Sequence, residues 1–306
     1  MTGAQITVGI LTFRRPEGLA STLPRVLEQV VEVPGAEVLV VDNDSVPSAR
    51  PVVDALRAQG SPVRYVHEPE PGIVAGRNRA LDEAPGDVLV FLDDDELPAP
   101  GWLRTMLDAH ERFGGAGVVG PVLGKIEGEL DPWIAAGRFF ERKRYPTGTV
   151  LPLAGTGNLL LDLPSVRRHG TRFDDAFRVS GGSDTAFTRE LTAAGGQLFW
   201  CDEAPVLDVV PTERATRRWV VRRAFRSGNS RVRVAVHQAT SVPAQLRHRA
   251  RGASAGAVRI GGGALRAMLG TVARRPDHQA RGVRTVARGA GMEAAAFGGV
   301  YEEYRR

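Results

Sequence analysis

Four acids in a row, Asp93-Asp94-Asp95-Glu96, follow five apolar residues running from Val88 to Leu92. The apolar run is rich in branched and aromatic side chains. Gly86-Asp87 marks its start and Leu97-Pro98-Ala99-Pro100 closes the region, so the spacing predicts a strand buried on both faces. The acids stand where that strand ends, and open α/β sheets bind ligands at the carboxyl ends of their strands. Adjacent carboxylates repel one another, at about 1.4 kcal/mol for each tenfold change in acidity. A divalent cation relieves that repulsion. Along an extended chain alternate side chains share a side, with Cα atoms roughly 6.6 Å apart. Asp93 and Asp95 can thus face one oxygen-liganded metal while Asp94 points elsewhere. A hard ion held by one or two carboxylates completes its shell with water and substrate phosphate. The bland reading of the same run is a solvated acidic turn.

A second cluster is Val179-Ser180-Gly181-Gly182-Ser183-Asp184-Thr185. Phe187 and Leu191 are apolar and four apart, which predicts a helix starting near Ser183. Asp184 falls in its first turn, where the helix dipole favours an anion. Two roles fit: a cap for free backbone N–H groups, or a catalytic base.

The elements that would position these groups follow from periodicity. Ile6–Leu11, Glu37–Val41 and Val63–Val66 predict buried strands. Between them, helices are expected over about Glu17–Val31, with Pro24 inside it, and over Val52–Ala58. A Gly-rich turn and a helix bearing Arg77, Asn78 and Arg79 span Gly72–Ala84. Strand and helix patterns alternate at βαβ spacing, so the first hundred residues predict a parallel α/β sheet. Polar groups recur at each strand's carboxyl end: Thr12, Phe13 and Arg15; Asp42 and Asp44; Asp93 and Asp95. An aromatic ring, hydrogen-bonding carboxylates and a metal pair suit a base, a ribose and a diphosphate. No Gly-x-Gly-x-x-Gly follows the first strand and no Walker-type loop occurs, so metal and arginine must hold the diphosphate. Arg77 is the candidate, since a guanidinium grips phosphate oxygens bidentately. The alternative for Arg77 is a surface helix arginine.

Further on, Trp102–Phe113 predicts an amphipathic helix and Val118–Val122 a buried strand. Residues 124–150 mix Gly, Pro, charge and aromatics and predict a long loop beside the site. Ala154–Leu161 is expected to return to strand, its small residues letting a sugar approach the backbone. Gln197–Cys201 and Ala204–Asp208 predict late strand pieces. From Thr212 the character changes to a basic amphipathic helix with Trp219, Val220 and Phe225 as apolar anchors. The stretch Gly256–Ala273 is small and apolar, with only Arg259 and Arg266 charged, and its five glycines weaken any helix; it reads as part of a packed helical hairpin or, alternatively, as an interfacial segment.

The chain of 306 residues has a net charge of +5 that conceals an asymmetry. Residues 1–212 carry 20 Lys+Arg against 30 Asp+Glu, whereas residues 213–306 carry 20 Arg against 5 acids. The basic segment can face anionic lipid or another polyanion, or be an arginine-rich solvated surface. One cysteine, Cys201, excludes an internal disulfide and fits a reducing compartment. No signal peptide is read at the start, and no apolar stretch approaches the ~20 residues of a spanning helix. A cytoplasmic protein is expected, peripheral at the membrane's inner face if the basic segment binds lipid.

Taken in order, Thr12-Phe13-x-Arg15, Val41-Asp42-Asn43-Asp44-Ser45, Gly72-x-x-x-Gly76-Arg77-Asn78, Phe91-Leu92-Asp93-x-Asp95 and Gly181-Gly182-x-Asp184 resemble glycosyltransferase family 2 over about residues 5–210. The resemblance implies a GT-A fold: an α/β sheet with helices on both faces, over residues 1–211, followed here by a basic helical region over 212–306. It implies an inverting transferase that takes a nucleotide-sugar donor, most often a UDP-sugar, with Mg²⁺ or Mn²⁺ on Asp93 and Asp95. Thr12, Phe13 and Arg15 would border the base, and Asp42 and Asp44 would bind base or ribose. Arg77 would lie near the diphosphate. Asp94 counts with Asp93 among the nucleotide-binding residues, and Asp184 would deprotonate the acceptor hydroxyl. A glycan, a lipid-linked sugar or a small molecule would be the acceptor, and no nucleic acid is expected.

Departures from the family pattern are informative. Ser183-Asp184 stands where many members have Glu-Asp, and Asn43 where many have a second Asp. Arg217-Arg218-Trp219 lacks the Gln of the Gln-x-x-Arg-Trp motif of processive synthases, which argues for single addition. Asp208 stands near where relatives carry a metal-reaching His. Two other readings share these features. A sugar-nucleotide pyrophosphorylase would need a Gly-rich loop after the first strand, which Thr12-Phe13-Arg14-Arg15 is not. An inactive nucleotide-sugar-binding module on a membrane would keep the crevice without turnover.

Overall fold

In the computed structural model the structure is described for residues 5–302. The apolar runs form β1 (Ile6–Thr12), β2 (Ala36–Asp42), β3 (Val63–His67) and β4 (Val88–Asp93). Later strands are β5 (Glu96–Pro98), β6 (Gly117–Val119), β7 (Val122–Ile126), β8 (Val150–Leu151), β9 (Leu159–Asp162), β10 (Leu198–Trp200) and β11 (Val206–Val210). The helices are α1 (Pro16–Val30), α2 (Arg50–Ala58), α3 (Ile73–Glu83), α4 (Trp102–Phe113), α5 (Pro132–Gly137), α6 (Leu163–His169), α7 (Ser183–Ala193), α8 (Arg217–His237), α9 (Val242–Val272) and α10 (Pro276–Ala296).

The chain divides into two compact units. One comprises Met1–Gly124, Arg142–Arg178 and Ser183–Val209, the other Lys125–Glu141, Val179–Gly182 and Val210–Arg306.

The first unit is built on an eight-stranded sheet in the order β3-β2-β1-β4-β9-β6-β10-β8. β1 to β4 are parallel, as expected, but β9 runs antiparallel between β4 and β6. Alternation along the strands divides the core. Val8, Ile10, Val38, Val40, Val90 and Leu92 pack on one face with Leu19 and Leu23 of α1 and Trp102 and Met106 of α4. Leu39, Val41, Leu89 and Phe91 pack on the other with Val74 of α3, Val166 of α6 and Phe187 of α7. A strand so covered on both faces must be apolar throughout, which is the pattern of Val88–Leu92. The register aligns Thr12 with Asp42 and Asp42 with His67, and Leu11 with Asp93. Four polar strand ends thus share one edge.

Two expectations are corrected here. Of the 154–161 stretch only residues 159–161 are strand, the first three of Leu159–Asp162. Asn158 takes a left-handed φ of 63°, which ends any strand before it. The 124–150 segment is not one loop, since it holds α5, whose first turn is capped by Asp131 accepting from the N–H groups of Trp133 and Ile134. Gly256–Ala273, read as packed helix despite its glycines, lies almost wholly inside a 31-residue helix.

The second unit explains how so glycine-rich a segment is helical. Its helices pack through glycines: a Cβ on Gly228 would stand 2.0 Å from the carbonyl oxygen of Arg288, and one on Gly263 2.9 Å from that of Gly282. Glycine lowers helix propensity, but here it lets two backbones touch, and the tertiary contact wins. Trp219 and Phe225 are turned into this unit rather than outward. Trp219 stacks on Phe140 at 5.9 Å, and Phe225 lies 5.9 Å from Tyr301.

Candidate active site

The acidic run does not alternate as a simple strand would, because β4 ends at Asp93 and β5 begins at Glu96, with a tight turn between. Asp94 is buried. Its carboxylate accepts from Thr12 Oγ1 at 2.8 Å and from Arg15 Nη1 at 3.1 Å, and Thr22 Oγ1 donates to its carbonyl. The same Arg15 nitrogen donates to Asp95 Oδ2 at 2.7 Å. Thr12 and Arg15 therefore brace the acidic turn from beneath. Arg14, which carried no expectation, takes a left-handed φ, reaches Asp44 at 3.2 Å and lies over the half-exposed Phe13 ring.

Asp93 is exposed at the end of β4 yet has protein on most sides. Burial raises its carboxyl to about 6, with Asp95 and Asp94 adding to the rise and Arg77 and Arg142 opposing it. Glu96 is the acid that periodicity overlooked. It is fully buried, accepts from the Asp93 N–H at 3.1 Å, and is held well above the usual range by burial and then by Asp93. Both carboxylates converge on Gly157, where a Cβ would stand 2.6 Å from Glu96 Oε1 and 3.1 Å from Asp93 Oδ2. Asp208 pairs with Glu96 in the β5–β11 register and accepts from Arg142 Nη2 at 2.6 Å. Arg142 thus supplies positive charge to a site short of it.

At β2's end the predicted carboxylates behave differently. Asp42 is fully enclosed and accepts from Tyr65 OH at 2.9 Å and from the N–H groups of Ala49 and Asp44. In this arrangement it shapes the turn after β2. Burial alone would raise Asp44, but hydrogen bonds from the Ser45 N–H and Arg14 hold it below the ordinary range. Asn43 donates to the carbonyls of Glu68 and Glu70, tying that turn to the chain entering α3.

Arg77 is aimed by α3. Gly72 precedes the helix at φ 119°, and a Cβ there would collide with the Arg178 side chain. Asn78 exchanges two hydrogen bonds with the Phe173 backbone. The Phe173 ring stacks on Phe187 of α7 at 4.2 Å, and the Arg77 guanidinium lies over it at 5.4 Å. Arg77 Nη1 then donates to Ser183 Oγ at 2.6 Å. Ser183 is therefore the acceptor that fixes Arg77.

Asp184 opens α7 and is half-buried. One oxygen accepts from the Thr185 N–H at 2.7 Å, so it does act locally on the helix end. The other faces Gly155, where a Cβ would stand 3.4 Å away. Thr188 of the same helix donates to Ala154 O and accepts from the Ala154 N–H. Asn158 completes the segment: it donates to Pro121 O and Ala204 O and accepts from the Trp102 indole N–H, all within 3.0 Å. The five residues 154–158 are thus pinned at both ends, with Asp184 against Gly155 and the Asp93/Glu96 pair against Gly157.

The sequence profile described as Glycosyl transferase family 2 matches residues 7–162. The chain belongs to that family. It is 36% identical over 236 residues to the succinoglycan biosynthesis protein ExoM of Rhizobium meliloti, covering 76% of each chain. It is 26% identical over 205 residues to the glucosyl-dolichyl phosphate glucuronosyltransferase of Haloferax volcanii, covering 66% of this chain and 62% of that one. Among solved structures, S. aureus TarS 1-349 in complex with UDP-GlcNAc superimposes with a TM-score of 0.54 at 15% identity, covering 99% of this chain and 97% of that one. The family 2 enzyme thus has the GT-A fold expected of it. Membership makes it a glycosyltransferase, and sets it apart from the pyrophosphorylases that build a similar sheet. A nucleotide-sugar donor and a glycan acceptor follow from the same membership.

Proposed function

We propose that this enzyme transfers one sugar per encounter, with inversion, from a UDP-sugar to a hydroxyl of a lipid-linked glycan. The observation that carries the reading is the segment 155–157, which brings the Asp184 carboxylate and the Asp93/Glu96 pair against alternate glycines of one short loop. Inversion needs a base on one side of the anomeric carbon and charge neutralisation of the leaving diphosphate on the other. The UDP part draws on the TarS complex, and the acceptor part on the dolichyl phosphate in the name of the Haloferax relative. A transferase domain over 1–211 and a basic region over 212–306 that contacts anionic membrane fit the same reading.

The acidic crevice fits a divalent cation. Among the described residues no group of three or more His, Cys, Asp or Glu is arranged to hold an ion, so the proposed ion would rest on two carboxylates and complete its shell with phosphate and water. Asp93 and Asp95 would hold it. Asp95 accepts from Arg15 at 2.7 Å, and burial raises the Asp93 carboxyl to about 6, with Asp95 and Asp94 adding to the rise. When bound, the ion would neutralise charge on the departing diphosphate. The protein's own groups do the rest. Asp184 takes the acceptor hydroxyl proton on the oxygen that faces Gly155. Arg77 grips diphosphate oxygens, released from or shared with Ser183. Phe13, at the rim with Arg14 over it, borders the base.

Calorimetry with UDP and Mn²⁺ tests the reading. Wild type should bind UDP more tightly with Mn²⁺ than with EDTA, and Asp95→Ala should lose that difference while keeping the metal-free affinity. Equal affinities with and without Mn²⁺ in the wild type would refute the cation's role.

A further inference from the structure

We infer that the solvent-facing side of α9 is the surface by which this chain seats on an anionic lipid bilayer. Val258, Leu265, Met268, Leu269 and Val272 are 74%, 54%, 56%, 54% and 79% exposed. Their spacing of three, four and seven places them on one side of the helix, with the exposed Gly261 and Gly262 between them. The stripe runs about 21 Å along the axis, at 1.5 Å per residue. It is not spare core of its own unit. The opposite side of α9 carries the buried glycines Gly252, Gly256, Gly263 and Gly270. A Cβ on each of these would meet, in turn, Val232 of α8, Glu293 and Gly289 of α10, Gly282 of α10, and His278 and Gln279 of α10.

Charge selects the occupant. Residues 214–276 hold 15 arginines and no Asp or Glu. Arg247 and Arg251 are exposed, eleven and seven residues before Val258, and so continue the same face as a basic patch. Arg274 is exposed just beyond the stripe's far end. An apolar stripe bracketed by arginines is the pattern of a helix lying in a membrane interface, and anionic headgroups attract each arginine there. A second copy of this chain seated on the stripe would bring two acid-free basic helices together, which like charge disfavours. Among the described residues no helix is long and apolar enough to cross a membrane, so the contact is peripheral. The residues first expected to anchor it, Trp219 and Phe225, are occupied within their own unit.

The inference gives a surface to the membrane contact of the proposed function and rests on that contact alone. It is tested by co-sedimenting the full chain with phosphatidylcholine vesicles, with and without phosphatidylglycerol, at low and high salt. Wild type should pellet with the anionic vesicles, less so at high salt, and stay in solution with the neutral ones. Leu265→Glu/Leu269→Glu and Arg247→Glu/Arg251→Glu should each lower partitioning at least about tenfold, given about fivefold per arginine at an anionic surface. Both pairs are exposed, so their helix content and melting should match the wild type. Unchanged pelleting by both variants, or equal pelleting with neutral vesicles, would overturn the inference. So would a wild type that ignores vesicles but self-associates in the ultracentrifuge, with Leu265→Glu/Leu269→Glu restoring the monomer. The vesicles hold no sugar lipid or donor, so a negative result leaves the transfer reading standing.

Discussion

In the sheet unit, large side chains fill the space between layers: Trp102, Phe177, Phe187, Leu19 and Leu89 are all fully buried. In the helical unit the close contacts are glycine against backbone, as at Gly228, Gly256, Gly282 and Gly291. The charge differs as sharply, since the acids concentrate in the first 212 residues and the arginines after them. The sheet unit spends its polar groups on hydrogen-bonded networks that hold a site. The helical unit uses few, and leaves an apolar stripe and basic side chains facing water. The two units should therefore fail differently: the first by losing chemistry or a buried polar partner, the second by losing a close approach.

The largest effect belongs to Asp184. Asp184→Asn keeps the Thr185 N–H acceptor but removes the proton-accepting oxygen facing Gly155. The turnover number should fall about a thousandfold, the middle of the range for a lost general base, with donor affinity unchanged by calorimetry. A variant turning over at the wild-type rate would move the base elsewhere.

Asn158 comes next, and it tests the polar networks of the sheet unit. Asn158→Ala strands the Trp102 indole N–H and the carbonyls of Pro121 and Ala204 in a fully buried place, and puts alanine at positive φ. A loss of about 3 kcal/mol is expected from the denaturant midpoint, since each stranded group costs roughly 1–3 kcal/mol before relaxation. Asn158→Gly should recover about 1 kcal/mol of that, the part due to backbone strain. Equal losses in the two variants would show that φ contributes nothing.

How much of this was legible follows from the kind of interaction. Parallel β1 to β4 and the helices between them were readable because a strand covered on both faces must be apolar along its whole length, as Val88–Leu92 is. The convergence of Thr12, Asp42 and Asp93 on one edge follows from that alternation. Asn158 was not legible, because its partners lie 37, 46 and 56 residues away, although an Asn ending a Gly-containing run is a signal for positive φ. Glu96 stood in the acidic run, but a two-residue alternation passes over it; only the turn after Asp93 brings it back beside that residue. Arg142 gave no signal at all, since its neighbours are set by how the 142–148 segment lies beside β11. In the helical unit the packed helix over Gly256–Ala273 was legible from its small apolar residues but not from its propensity, because glycines that weaken a lone helix serve a packed one.

Two glycine substitutions bring the contrast to its sharpest point. Gly291→Ala in α10 would place a Cβ 1.9 Å from the Phe225 carbonyl oxygen and 2.8 Å from its carbon. Backbone cannot yield as a flexible side chain does, so the helices must part, at about 2–3 kcal/mol. Gly261→Ala in α9 meets nothing within 4 Å. It removes only the entropic burden of glycine in a helix and should stabilise by up to about 1 kcal/mol. Thermal unfolding of the two variants beside the wild type should thus move in opposite directions. If both destabilised, the exposed middle of α9 would be under a constraint beyond helix propensity, and its glycines would need a reason other than the packing that explains Gly291.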